Sequence, residues 1–130
     1  MAKIEIGPFE FQHLNSQSRL VCPEKISIEE NELVYISGQS GAGKSTLLAL
    51  IKGIYPYQLH AHFSGEILVD QARVDQISPQ KIVYQFQNPH SQMIHSNVKE
   101  EFVFGMENFS FSDSEIEMQK EKLLNLFELT

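Results

Sequence analysis

The chain has 130 residues, the size of one domain and enough to bury about two-thirds of its unfolded surface. Apolar residues make up 42% and charged residues 21%, a globular balance that excludes a disordered tail. The formal net charge is −7, from 10 basic against 17 acidic residues. That balance argues against a nucleic-acid partner, because such binding comes mostly from Lys and Arg neutralising phosphates.

Cys22 is the only cysteine, so no intrachain disulfide is possible and a reducing compartment is expected. No apolar run approaches the roughly 20 residues that span a bilayer. The start, Met1 to Glu5, lacks the apolar core of a signal peptide. The expectation is a cytosolic protein able to sit on a membrane through a partner.

Residues 2 to 11 alternate apolar and polar positions and predict one half-buried strand. His13 to Ser18 reads as a turn, Lys25 to Ile28 as a short strand, and Glu29 to Glu32 as another turn. Leu33 to Ile36 is a continuous run of strand formers, the pattern of a strand covered on both faces. A glycine-rich loop follows, then an apolar helix over Thr46 to Ile54, ended by Gly53 and Pro56. Tyr55 to Phe63 reads as irregular. Glu66 to Val69 and Arg73 to Val74 form a hairpin turning at Asp70 to Ala72, and Lys81 to Phe86 a further strand. Ser96 is placed as cap of a short helix closed by Gly105. Ser112 and Glu115 have capping-box spacing before a helix using Ile116, Leu123, Leu124 and Phe127. Alternating strands and helices predict an α/β domain. No closing element follows the last helix, which suggests a domain read only in part.

Gly38-Gln39-Ser40-Gly41-Ala42-Gly43-Lys44-Ser45 satisfies the phosphate-binding pattern G-x-x-x-x-G-K-[ST]. Glycines let several N–H groups turn toward one anion. The helix that follows, entered through Lys44, Ser45 and Thr46, adds unpaired N–H groups and the positive end of its dipole. Lys44 supplies a mobile charge for the β and γ phosphates, and the Ser45 hydroxyl suits Mg²⁺. A chance match in a chain this long occurs in roughly a few cases per thousand at ordinary residue usage.

The loop alone does not choose among kinases, GTPases, helicases and transport ATPases. The segment Ile82 to Pro89 (IVYQFQNP), then Ser91 to Ile94 (SQMI) and Asn97 to Asn108 (NVKEEFVFGMEN), does. It resembles the Q-loop region of ABC transporter ATPases, and within them the energy-coupling-factor (ECF) branch. Tyr55-Pro56 and the stretch Ser64 to Asp70 (SGEILVD) also fit that branch, so the likeness covers nearly the whole chain.

The resemblance implies the phosphate-loop NTPase core of an ABC ATPase with an N-terminal antiparallel β subdomain, spanning 1–130. It implies Mg-ATP as ligand, bound by Gly38 to Thr46. It also implies Gln87 as the Q-loop residue that reaches Mg²⁺ and the attacking water, with Lys44 as the second catalytic group. The implied partners are a transmembrane subunit docked through the Q-loop region and a second ATPase subunit, and the implied location is the cytoplasmic face of the cell membrane. The implied function is the ATP-binding subunit of an ECF-type importer.

Phe11-Gln12-His13 departs from the family at the adenine-stacking position, where a tyrosine is usual, so His13 is the candidate base contact beside its plain reading as a surface histidine. Ile67 to Asp70 mimics a Walker B strand, but the turn chemistry favours the hairpin. The family's LSGGQ signature, Walker B glutamate and switch histidine do not occur before Thr130. A chain without them is expected to bind nucleotide and to hydrolyse it poorly or not at all. Two other classes share the loop: a small-molecule kinase, which leaves the block Phe86 to Asn108 unexplained, and a truncated, non-catalytic binding module. His60, His62, His90 and His95 lack the converging ligands of a zinc site.

Overall fold

The first strand predicted from the sequence is two strands in a computed structural model that describes residues 3–129. β1 (Ile4–Ile6) and β2 (Phe9–His13) are separated at Gly7-Pro8. Pro8 has no N–H to give a ladder. The Gly7 N–H turns instead to the Glu66 carbonyl at 2.8 Å. The chain thereby changes sheet, a switch that an unbroken alternation of residue types does not reveal.

Five more strands follow: β3 (Arg19–Cys22), β4 (Ile26–Ile28), β5 (Ala61–Ser64), β6 (Ile67–Val69) and β7 (Ala72–Arg73). They make a four-stranded sheet in the order β4-β1-β6-β7 and a three-stranded sheet in the order β3-β2-β5. Every pairing is antiparallel, with Ile4 opposite Val69, and Phe11 opposite Leu20 on one side and Phe63 on the other. β3 lies in a stretch to which the sequence reading assigns no element, and β5 replaces the end of the stretch Tyr55 to Phe63 expected to be irregular. Gly65 permits the step from β5 to β6: at φ 129°, a Cβ there would stand 2.6 Å from the Pro8 carbonyl oxygen.

The hairpin is present, and its turn is two residues long. Asp70 (φ 51°) and Gln71 (φ 65°) are both left-handed, the geometry that matches strand twist in two-residue hairpins. Ala72 already belongs to β7. Asp70 is thus a hairpin tip and not the end of a Walker B strand. Its carboxylate accepts from Lys81 Nζ and the Lys3 N–H, each at 2.9 Å.

α1 (Lys44–Lys52) turns Ala49, Leu50 and Ile51 inward and ends at the left-handed Gly53. Leu50 and Ile51 join Ile6, Phe9, Phe11, Ile67, Val69 and Val74 in one buried cluster. That cluster lies within the first of two compact units, Met1–Tyr84 and Gln85–Thr130.

Two predicted strands are not formed. Leu33 to Ile36 pairs with no strand, and Leu33 is fully exposed and Tyr35 89% exposed. Lys81 closes a 3-10 turn (Pro79–Lys81), and the residues to Phe86 follow outside any ladder, with Val83 92% exposed. Strand formers need a neighbouring strand to satisfy their N–H and C=O groups. Among the described residues no element supplies one beside either run.

The second unit holds a 3-10 turn (Pro89–Gln92), α2 (Val98–Asn108) and α3 (Asp113–Leu126), with the two helices packed together. Asn97, and not Ser96, caps α2, its side chain accepting from the N–H groups of Lys99 and Glu100. The helix runs through Gly105, a glycine of an exposed face whose cost of ~1 kcal/mol does not stop it. The capping box of α3 is complete, with Ser112 and Glu115 each accepting from the other's backbone N–H. Ile116 is its buried residue, while Phe127 falls at the C-cap and is exposed. No helix among the described residues is long and apolar enough to cross a membrane.

Candidate phosphate-binding site

The loop Gly38 to Gly43 leads directly into α1, whose core-facing residues fix the helix and so fix where its N-terminus points. The Ala42 N–H donates to the Gln39 carbonyl at 3.2 Å, which tightens the loop into a turn. Gly41 (φ 81°) and Gly43 (φ 89°) are left-handed. Gly43 is the N-cap of α1, and no side chain caps the helix there. No acid stands in the first turn of α1 or anywhere from Ser37 to Thr46.

A helix start leaves its first N–H groups without intrahelical acceptors. With no capping side chain and no carboxylate beside them, they are available to an anion. The Lys44 side chain folds back over the loop. Its ammonium donates to the Gly38 and Gln39 carbonyl oxygens, both at 2.7 Å. One positive charge is therefore held at the loop by neutral carbonyls, and no acidic partner neutralises it among the described residues. Ser45 is exposed in the first helical turn and Thr46 half-buried behind it. Gly38, Gln39, Ser40, Gly41, Ala42, Gly43, Lys44, Ser45 and Thr46 lie in one continuous stretch of loop and helix start.

The fit to a nucleoside triphosphate can be tested on these atoms. Loop N–H groups, helix start and lysine suit its phosphates. Among the described residues no group of three or more His, Cys, Asp or Glu side chains could hold a metal ion. The oxygen-bearing side chains of this stretch are then Gln39, Ser40, Ser45 and Thr46. That is compatible with an ion that keeps several waters and takes its other ligands from phosphates.

Beside the loop runs an apolar groove of about 240 Å³, lined by Leu20, Val21, Cys22, Pro23 and Leu47 together with Gly43 and Lys44. His13 is not part of that lining. It sits exposed at the end of β2, edge-on to Phe11 at 4.7 Å and to Tyr55 at 5.2 Å. The groove residues of β3 were missed in the sequence because Arg19 to Cys22 was not read as a strand. The short apolar run Leu20-Val21-Cys22 before Pro23 was the available signal.

Gln87 belongs to the second unit. It is exposed, next to Asn88, whose side-chain oxygen accepts from the His90 N–H and caps the turn Pro89–Gln92. The Phe86 N–H donates to Gln92 Oε1 at 2.8 Å. Further along, the carboxylate of Glu101 accepts from the N–H groups of His95 and Ile94 at 2.8 and 3.1 Å. Those bonds, first His95 and then Ile94, hold its pKa below the usual carboxylate value.

A glycine loop of this pattern, opening an apolar helix with its lysine over the turn, defines the phosphate-loop NTPases. Residues 23–130 match the family model described as ABC transporter, and the chain belongs to that family. It is 29% identical over 98% of its length to an ABC transporter ATP-binding protein of Saccharolobus solfataricus, covering 25% of that protein. Over 80% of the chain it is 34% identical to one of Caldanaerobacter subterraneus, covering 19% of it. Over 89% of the chain it is 31% identical to one of Pyrococcus horikoshii, covering 42% of it. The chain therefore spans less than half the length of each of these relatives. No solved structure matches it. The two antiparallel sheets and three helices are compatible with the N-terminal part of such a domain.

Proposed function

We propose that this chain binds Mg-ATP on Gly38 to Thr46 and serves as the ATP-binding part of an ECF-type ABC importer. The observation that carries the reading is the Lys44 ammonium, held over the glycine loop by two carbonyls at 2.7 Å and with no acidic partner among the described residues. When a triphosphate enters, that ammonium exchanges two neutral acceptors for charged phosphate oxygens, and charge-assisted bonds are about twice as strong as neutral ones. The uncapped start of α1 supports the same anion. Ser45 would hold Mg²⁺, which would supply positive charge against the phosphates.

The ECF assignment is supported by the block Ile82 to Asn108. Gln87, as the Q-loop residue, would orient the attacking water and touch a transmembrane partner at the cytoplasmic face of the membrane. A second ATPase subunit would complete the site, because phosphoryl transfer needs groups around the γ-phosphate beyond this loop. The Gln87 role is tested by ATP turnover in the assembled transporter: Gln87→Ala should lower it, and an undiminished rate would remove the role.

Phosphate binding is tested by titrating the chain with Mg-ATP. Lys44→Ala should weaken affinity at least about tenfold, or ~1.4 kcal/mol. Equal affinity in the two proteins would place the nucleotide elsewhere.

A further inference from the structure

We infer that Leu20 is a positioning residue for the phosphate loop, backing the left-handed turn at Gly43. This rests on the phosphate-binding reading above and adds a residue from another strand to it. Gly43 holds φ 89° and ψ 10° where the loop becomes α1. A Cβ placed on it would stand 2.8 Å from Cδ1 and 2.9 Å from Cδ2 of Leu20. The leucine methyls thus fill the space directly over the Gly43 backbone. Gly41, by contrast, has nothing within 4 Å of the same construction. Gly41 is thus open and Gly43 walled, and the wall is Leu20.

The wall is itself fixed. Leu20 pairs across the sheet with Phe11, which is buried in the core. The Leu20 side chain packs against that core, as does Leu47 of α1. From the helix side, the Leu47 N–H donates to the Gly43 carbonyl at 2.8 Å. Gly43 is therefore held between the β3 side chain and the first hydrogen bond of α1. The N–H groups that follow it point where that clamp puts them. Without the leucine the turn gains freedom, and phosphate binding must then supply the ordering that the fold supplied before.

The experiment titrates the full chain with Mg-ATP and, separately, with inorganic tripolyphosphate. Leu20→Ala should weaken both by the same factor, about three- to tenfold, because the loop and not the base is affected. Leu20→Met, which restores the volume, should return both affinities to near wild type. Ile4→Ala trims a residue packed on the same core from β1 and should leave both unchanged. Undiminished affinity in Leu20→Ala would overturn the inference. So would a loss confined to ATP, which would make Leu20 a base contact, or an equal loss in Ile4→Ala, which would make the effect general softening. Lys44→Ala separates the two layers. If it keeps wild-type tripolyphosphate affinity, the phosphate reading fails and this inference with it. If it loses that affinity while Leu20→Ala does not, the positioning role alone fails.

Discussion

The two compact units are held by different physics. Of the ten buried apolar residues among those described, nine lie in the first unit (Ile6, Phe9, Phe11, Ala49, Leu50, Ile51, Ile67, Val69 and Val74), and Ile116 alone lies in the second. The first unit brings together residues far apart in the chain, such as Ile4 with Val69 and Phe11 with Phe63. The second is organised by bonds between near neighbours: Asn97 to Lys99 and Glu100, Ser112 to Glu115, Glu101 to Ile94 and His95. Burial stabilises by area removed from water and is indifferent to sequence distance. Caps satisfy a few orphan N–H groups and act only within one turn. The phosphate loop sits where the first kind of order is strongest, since α1 is anchored by its buried face.

The largest break in this contrast is a core truncation. Leu50 is 0% exposed, and Leu50→Ala should cost about 3.5 kcal/mol, the middle of the range for buried leucines. All four tyrosines, Tyr35, Tyr55, Tyr57 and Tyr84, lie in the first unit, and the chain has no tryptophan. Tyrosine fluorescence in urea therefore reports that unit, and its midpoint should fall sharply in Leu50→Ala. Ile116→Ala should leave the same midpoint in place. A common shift in both variants would show the two units unfolding as one cooperative block.

That contrast also decides what could be read from sequence. Signals that act within a turn or two were legible: the loop Gly38 to Ser45, the helix stop at Gly53, the hairpin around Asp70 and the box Ser112–Glu115. Each is complete in a few consecutive residues. Features that depend on a distant partner were not. The sheet change at Gly7-Pro8 is decided by the Glu66 carbonyl, and β3 and β5 are strands because β2 lies between them. Leu33 to Ile36 and Lys81 to Phe86 carry strand composition, but composition states a preference for burial and cannot provide the neighbour. Choosing Ser96 over Asn97 as the cap was a local error between two good capping residues one position apart. The candidate site divides in the same way. Its loop, Gly38 to Thr46, is contiguous in the sequence, whereas Leu20 reaches Gly43 only through the fold.

A cap deletion is the next smaller perturbation, and it should act on the other unit. In Ser112→Ala the Glu115 N–H loses its side-chain acceptor and the reciprocal bond has no hydroxyl to accompany it. The cost should be about 1 kcal/mol, seen as faster amide exchange in the first turn of α3. The tyrosine-reported midpoint should not move. Protection unchanged at Glu115 and Ile116 would mean that packing of Ile116, and not the cap, sets the start of the helix.

Acid should produce the gentlest separation. The Glu115 pKa lies below its ordinary 4.5, held down first by the Ser112 hydroxyl and then by the Ser112 N–H. Glu101 is lowered from the same value by the His95 and Ile94 N–H groups. A depressed carboxylate contributes stability that is fully present above its unfolded pKa and lost as pH falls through the folded one. The contribution of these two groups therefore stands above about pH 4.5 and fades below it. In the first unit Asp70 is lowered too, chiefly by Lys81 and then by the Lys3 N–H, so its hairpin tip loosens over a still lower range, starting from 3.8. The core behind it carries no titrating side chain among its buried members. Amide exchange followed from pH 5 to pH 3 should thus show the Ile94 and His95 amides and the first turn of α3 opening while β1, β6 and the body of α1 keep their protection. Simultaneous loss in both sets would contradict the division between burial and local bonds.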